Sequence, residues 1–225
     1  GFSEGFKFVL KEDFYNLYNI SKELVSKAQL NIDLESNTLT LPVDKSTKVR
    51  VGKLYISNKS RGIPGNYLTG KNKLIYSIID KNEDTFFEFF KLGSGPARLV
   101  ITAQLVKTSI INQVKISKAF ASASSSFVIK DIKFNTTKSK SVSVKKLMDV
   151  NHQSLSVTAI NKNAAVTITH LPVVAESISI EIESNEYTIT NDNVKMFIIG
   201  LKDIEFKTIK YKSEGEFGSS RIVTP

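Results

Sequence analysis

The strongest constraint on this chain is a side-chain period of two. Ser177–Glu183 alternates polar and apolar residues without a break. Because successive side chains of a strand point to opposite faces, this pattern predicts a strand with one buried face. Further strand-like runs occur at 39–41, 49–56, 85–90, 99–105, 111–116, 127–134, 166–168 and 196–206. Short strands separated by turn residues favour a mainly β, antiparallel two-sheet jelly-roll sandwich over a parallel α/β sheet.

Two of these runs change parity partway along. Phe127 and Ile132 fall on opposite faces of a regular strand, and an extra residue near Lys130 and Asp131 would reconcile them. The pattern therefore predicts a β-bulge at that point, and a similar slip near Gly52. The apolar positions of the runs predict a core that includes Phe86, Phe87, Phe89, Ile101, Val114, Ile116, Ile129, Ile180, Phe197, Ile199 and Phe206.

One segment instead has the helical period. Apolar residues recur at steps of three and four over residues 10–28, which predicts an amphipathic helix of about five turns. Its apolar stripe offers Phe14, Leu17 and Leu24 as residues that bind a partner. We predict a helical lead-in at residues 1–29, a β-sandwich at 30–212, and an extension at 213–225 that leads to a following module or tail.

Composition excludes several classes of function. The chain has no Cys, which rules out disulfides and thiolate metal sites. The net charge is +9, but the densest basic stretch, Lys130–Lys146, is interleaved with Ser and Thr and holds no cluster of stacking aromatics. We interpret it as a solvated strand face and predict no nucleic-acid partner. No run of about 18 apolar residues exists, so no membrane-spanning helix is predicted.

Residues with the chemistry of an active site are scarce. The only histidines, His152 and His170, lack a metal-binding or catalytic context and are expected at the surface or half-buried. No nucleophile elbow or phosphate-binding loop is present, so we predict no enzymatic activity. Asp80 and Asp84 lie in a polar turn that is either simply solvated or holds a structural Ca²⁺. No other cofactor is predicted.

The same turn carries a family resemblance. Asp80–Glu88 resembles the stretch D-x-(N/D)-x-x-T-(F/W)-(W/F)-E of discoidin-like, galactose-binding jelly rolls, and the segments 97–105 and 110–116 are similar to the next two strands of that family. The resemblance covers residues 38–211 and implies a jelly roll used for glycan binding, lipid binding or assembly. The usual tryptophan of the family is Phe here, which weakens a sugar-stacking site.

A second, narrower resemblance concerns the last strand. Met196–Phe206, followed by Tyr211–Ser219, looks like the ending of discoidin-like modules in tail and baseplate proteins of T-even-like phages. It implies a structural protein of a virion that binds other virion proteins during assembly of the tail or baseplate. The alternative is a carbohydrate-binding module that recognises a host surface glycan, for which Tyr67 and Tyr187 are the candidate aromatic residues.

Overall fold

A computed structural model of the protein describes residues 6–9, 31–33, 38–41, 43–58, 63–64, 75–82, 85–119, 127–147 and 166–211. The strands in these residues are β1 (Phe6–Val9), β2 (Asn31–Asp33), β3 (Thr38–Leu41), β4 (Val43–Val49), β5 (Val51–Asn58), β6 (Ile63–Pro64), β7 (Phe87–Leu92), β8 (Ala97–Lys118), β9 (Val128–Asn135), β10 (Val142–Ser143), β11 (Val166–Ser184), β12 (Tyr187–Ile189) and β13 (Lys195–Tyr211). Short 3₁₀ helices span Ile75–Ile79 and Val144–Lys146. Within the described ranges, neither helix has the length or apolarity to cross a membrane.

Every strand pair is antiparallel, and the predicted mainly β sandwich is confirmed. Strands β1, β3 and β2 form a small sheet in that order, and the other ten strands form one large sheet. The predicted amphipathic helix at 10–28 lies outside the described residues. Strand β1 falls within the predicted lead-in and pairs with β3. The proposed domain boundaries stay predictions.

Two long strands, β8 and β11, run through both layers of the sandwich. In one layer, the first half of β8 lies between β5 and the second half of β11, and β9 and β10 continue beyond β11. In the other layer, the second half of β8 lies between the first half of β11 and β13, which also pairs with β7 and β4. The layers are therefore joined by continuous strands as well as by packing.

The bends of these strands coincide with irregularities in register. The register of β11 against β8 shifts between Thr169 and Val173, a stretch that contains Pro172. Proline cannot donate to a ladder and is found at such breaks. Both predicted parity slips are confirmed. Lys130 is the extra residue where β9 pairs with β11, and Gly52 is the extra residue where β5 pairs with β8.

The inward side chains of both layers form one core cluster. It contains every predicted core residue except Phe86. Phe86 is half-buried and precedes the first residue of β7, whereas Phe87 is 1% exposed. Ile78 of the Ile75–Ile79 helix is fully buried and is part of the same cluster. This helix therefore packs against the core.

Candidate functional site

A gap in strand pairing opens beside the middle of β13. Along one edge of β13, β7 pairs with residues Met196 to Leu201, and β4 pairs with residues Phe206 to Tyr211. The intervening residues 202–205 pair with neither strand on that side, although β8 covers their other edge. Leu201 and Asp203 flank a register shift against β8. In the described part of the chain no strand pairs with residues 202–205 on that side, which leaves room for a cleft.

Two adjoining cavities occupy this gap, with volumes of about 330 Å³ and about 120 Å³. We call them together the β13 cleft. Its walls come from the end of β4 and start of β5, from the Ile75–Ile79 helix with its following turn, and from β13. The lining residues are Lys48, Val49, Arg50, Val51, Ile79, Asp80, Lys81, Asn82, Lys202, Asp203, Ile204, Glu205 and Phe206.

The floor of the larger cavity is apolar. Phe206 and Ile204 are almost fully buried and belong to the sandwich core. Val49, Val51 and Ile79 are half-buried and pack against that core. The strands thus supply a rigid apolar base below a charged rim.

An ion pair crosses the cleft from β4 to β13. The Lys48 ammonium lies 2.6 Å from a Glu205 carboxylate oxygen, and Lys207 lies 3.9 Å from the other oxygen. The hydrogen bond to Glu205 raises the pKa of Lys48. Burial acts to raise the pKa of Glu205, but the hydrogen bond and charge of Lys48, with Lys207 and Lys115, hold that pKa below its usual value. Both groups are therefore charged at neutral pH.

The opposite wall is a tight turn closed by Asp80. Its carboxylate accepts hydrogen bonds from the Asn82 backbone N–H at 2.9 Å and from the Thr85 hydroxyl at 2.6 Å. Lys81, which lies between Asp80 and Asn82, has a φ of 60°. This value falls in the left-handed region that residues with a side chain rarely adopt. Residues in such strained conformations are concentrated at functional sites, and Lys81 lines both cavities.

Among the residues predicted to bind a ligand or metal, Asp80 lies in the cleft. Its contacts are those of a turn, and Asp84 lies outside the described residues, so cation binding by the pair stays a prediction. No group of three or more His, Asp or Glu within the described ranges could hold a metal ion. Phe14, Leu17, Leu24 and Tyr67 also lie outside those ranges.

Tyr187 is exposed but is not part of the cleft. It pairs with Phe197 across β12 and β13, at a ring separation of 5.3 Å. The Lys195 ammonium lies over the Tyr187 ring, 4.6 Å from its centroid. Because Phe197 and Glu205 are eight residues apart on one strand, about 26 Å separates the two positions. Glycan binding by Tyr187 stays a prediction, and any such contact would be separate from the cleft.

The structure corrects the expectation for His170, which is buried, with 2% exposure. Its Nδ1 lies 2.8 Å from the Leu171 carbonyl oxygen, so Nδ1 carries the proton and donates it. The ring packs on Phe134 at a centroid distance of 4.8 Å. His170 does not line the cleft and serves in packing.

Apart from Asp80, reasoning from sequence missed the charged residues of the cleft: Lys48, Arg50, Lys81, Lys202, Asp203 and Glu205. One signal was available, because Leu201 and Ile204 are both apolar but three residues apart, which breaks the period of two. That break marks the register shift in β13. The approach of β4 and of the Asp80 turn depends on long-range pairing, which periodicity does not specify.

No protein-family model matches this sequence, and no curated protein matches it. Solved structures with a similar arrangement of strands include the family 32 carbohydrate-binding module from C. perfringens NanJ in complex with galactose. That match has 15% identity and a TM-score of 0.46, and covers 73% of this chain and 100% of the other. A pectin-binding carbohydrate-binding module matches with 13% identity and a TM-score of 0.42, covering 78% of this chain and 98% of that one. A chitosan-binding module from a Paenibacillus sp. IK-5 chitosanase/glucanase matches with 12% identity and a TM-score of 0.40, covering 70% and 96%. At these identities and TM-scores the likeness assigns no ligand to this chain.

Proposed function

We propose that this chain is a non-catalytic carbohydrate-binding module and that the β13 cleft is its binding site. The observation that carries the proposal is the placement of paired cationic and carboxylate side chains around an apolar floor. Sugar hydroxyls both donate and accept hydrogen bonds, so they suit a rim where Glu205 accepts and Lys48 donates. The aliphatic C–H face of a pyranose suits the half-buried side chains of Val49, Val51 and Ile79, which line the same cavity.

The dimensions of the cleft support a small ligand. The larger cavity, about 330 Å³, lies at the lower end of the roughly 300–1,000 Å³ range of small-molecule sites. The smaller cavity shares Lys48, Lys81, Asp203 and Glu205 with it, so the two form one elongated space. This shape favours one sugar unit in the larger cavity with a neighbouring unit extending over the Asp80 turn.

The electrostatics favour binding over hydrolysis. A glycosidase needs one carboxyl group that is protonated near neutral pH, which requires a raised pKa. The pKa of Glu205 is lowered instead, because Lys48 holds it as a carboxylate. Glu205 is thus suited to accepting hydrogen bonds from sugar hydroxyls and unsuited to the role of general acid.

Titration calorimetry against a panel of neutral and acidic oligosaccharides tests the proposal. Glu205→Gln should weaken the binding of a recognised sugar about tenfold or more, because a charge-assisted acceptor is lost. A surface ion pair contributes little to stability, so the melting temperature should stay close to that of the wild type.

Glu183→Gln is the matched control. Glu183 pairs with Arg98 at 3.0 Å, and its side chain has the same 18% exposure as that of Glu205, but it lies away from the cleft. Its replacement should leave sugar affinity unchanged. If every sugar in the panel fails to bind, or if both variants weaken binding equally, the proposal is wrong.

Assembly within a phage tail or baseplate, and placement in a virion, stay predictions. The contact residues expected for that role, on the helix at 10–28, lie outside the described residues. Within the described part of the chain, the β13 cleft supports carbohydrate binding, so we now rank the glycan-binding alternative above the assembly role.

A further inference from the structure

Within the residues that the structure describes, two cationic side chains of the β13 cleft have no carboxylate partner. Arg50 and Lys81 are exposed and line the larger cavity. No salt bridge involves either of them in the described part of the chain, whereas Lys48, in the same cavity, is paired with Glu205. Among the described residues, the rim therefore combines a neutralised ion pair with two cations that have no carboxylate partner.

The cleft's own carboxylates do not neutralise these cations. Glu205 is held by Lys48 and Lys207, and the charge of Asp203 acts on Lys48. Asp80 is absent from the larger cavity, and its carboxylate closes the turn through Thr85 and Asn82. The larger cavity thus has Lys48, Arg50 and Lys81 against Asp203 and Glu205, an excess of positive charge.

The backbone conformation at one of the two cationic residues is also fixed. Lys81 lies in the Asp80 turn, with its φ at 60°, and Asp80, Asn82 and Thr85 hold that turn by hydrogen bonds. The backbone at this position therefore loses little conformational freedom when a ligand binds. Arg50 lies between β4 and β5, where its backbone carbonyl accepts a hydrogen bond from Val106 N–H at 3.0 Å.

We propose that the β13 cleft selects sugars that carry an anionic group, a carboxylate or a sulfate, and that Arg50 and Lys81 bind this group. The inference rests on the proposed function and narrows its ligand class. The planar guanidinium matches a carboxylate or sulfate with two parallel hydrogen bonds, and an ammonium adds a point charge beside it. The Lys48–Glu205 pair then remains for the hydroxyl groups of the same sugar.

The test compares oligosaccharides in matched pairs. Each acidic probe is measured beside its neutral counterpart: oligogalacturonate with its methyl ester, oligomannuronate with mannose oligomers, and oligoglucuronate with glucose oligomers. A sulfated galactose oligosaccharide distinguishes sulfate from carboxylate. All titrations use one ionic strength near 0.15 M, because a chain with a net charge of +9 attracts polyanions without specificity at low salt.

We expect at least one acidic probe to bind about tenfold or more tightly than its neutral counterpart, the size of effect that a charge-assisted contact produces. The double variant Arg50→Gln with Lys81→Gln should remove this preference, so that the acidic probe binds no more tightly than its neutral counterpart. The control is Lys138→Gln with Lys140→Gln, which removes the same net charge from an exposed loop outside the cleft. It should retain the preference.

The outcomes separate the two proposals. If neutral sugars bind as tightly as acidic ones and Glu205→Gln still weakens binding, the anionic preference is wrong and carbohydrate binding stands. If both double variants lose the preference equally, the attraction is nonspecific and the assignment to Arg50 and Lys81 is overturned. If no probe of either kind binds, both proposals fail.

Discussion

At the scale of single residues, the ionisation of His170 is coupled to folding. It is buried against Phe134, and its Nε2 has no hydrogen-bond partner within the described part of the chain. Burial lowers the pKa of His170 to about 4, although the hydrogen bond to Leu171 acts in the opposite direction. The unfolded chain should titrate near the ordinary value of about 6.5.

This difference predicts a loss of stability in mild acid. Above pH 6.5 His170 is neutral in both states and its contribution is fully present. As the pH falls from 6.5 to 4, only the unfolded state takes up the proton, so the folded state loses stability, by about 2 kcal/mol between pH 7.5 and pH 5. Urea unfolding at the two pH values measures the loss. The variant His170→Phe should lose less stability than the wild type, by that same amount.

If wild type and His170→Phe lose the same amount of stability in acid, groups other than His170 dominate the acid response.

From sequence, His170 could be identified only as a histidine in an apolar run. Its ring packs on Phe134 of β9. Local pattern does not predict this neighbour, because the contact joins residues that are far apart in the sequence.

At the scale of elements, the boundary of β7 decides which aromatic residues stabilise the fold. Phe87 is 1% exposed at the first position of the strand, whereas Phe86 precedes the strand and is half-buried. Phe87→Ala should therefore lower the free energy of unfolding by about 3–5 kcal/mol, as large core truncations do. Phe86→Ala should cost clearly less. Chemical denaturation of the two variants measures both effects, and equal losses would contradict this assignment.

The strands themselves were largely predictable, but their lengths were not. Period-two runs identified most of β7, β9 and the second half of β11, and the parity slips identified the bulges at Gly52 and Lys130. The runs at 99–105 and 111–116 were expected as two strands and form the single strand β8. Between them lies Val106–Ile110, a stretch without Gly or Pro, which continues as strand because both of its flanks are paired with β11.

The β13 cleft was the least predictable feature because it is an absence of pairing. Its charged residues lie on segments far apart in sequence, near residues 48–50, 80–82 and 202–205. These segments come together because β7 and β4 end at particular residues along β13. The residues at which β4 and β7 end depend on how the two strands divide the same edge of β13. The local pattern of a single sequence does not show this division.

At the scale of the whole molecule, the sharing of β8 and β11 between layers predicts cooperative unfolding. Neither layer can separate without breaking strands that also belong to the other, so the large sheet should unfold in one transition. Native-state hydrogen exchange checks this prediction. Under conditions that favour global unfolding, the amides of β5 in one layer and those of β4 in the other should have equal opening free energies. Two distinct values would show that the layers open independently.

The same continuity has a consequence for how the chain reaches its native state during synthesis. Val49 pairs with Phe206, and Ile101 pairs with Ile180, so the main ladders join segments that are far apart in the sequence. A nascent chain cannot complete the layer that contains β4 and β7 until β13 has left the ribosome. Folding dominated by such distant pairings is slow, on the order of milliseconds to seconds, and until then β8 exposes unpaired edges that favour association with other chains. Expression at low temperature or with chaperones should therefore raise the yield of soluble protein more than any substitution at the cleft.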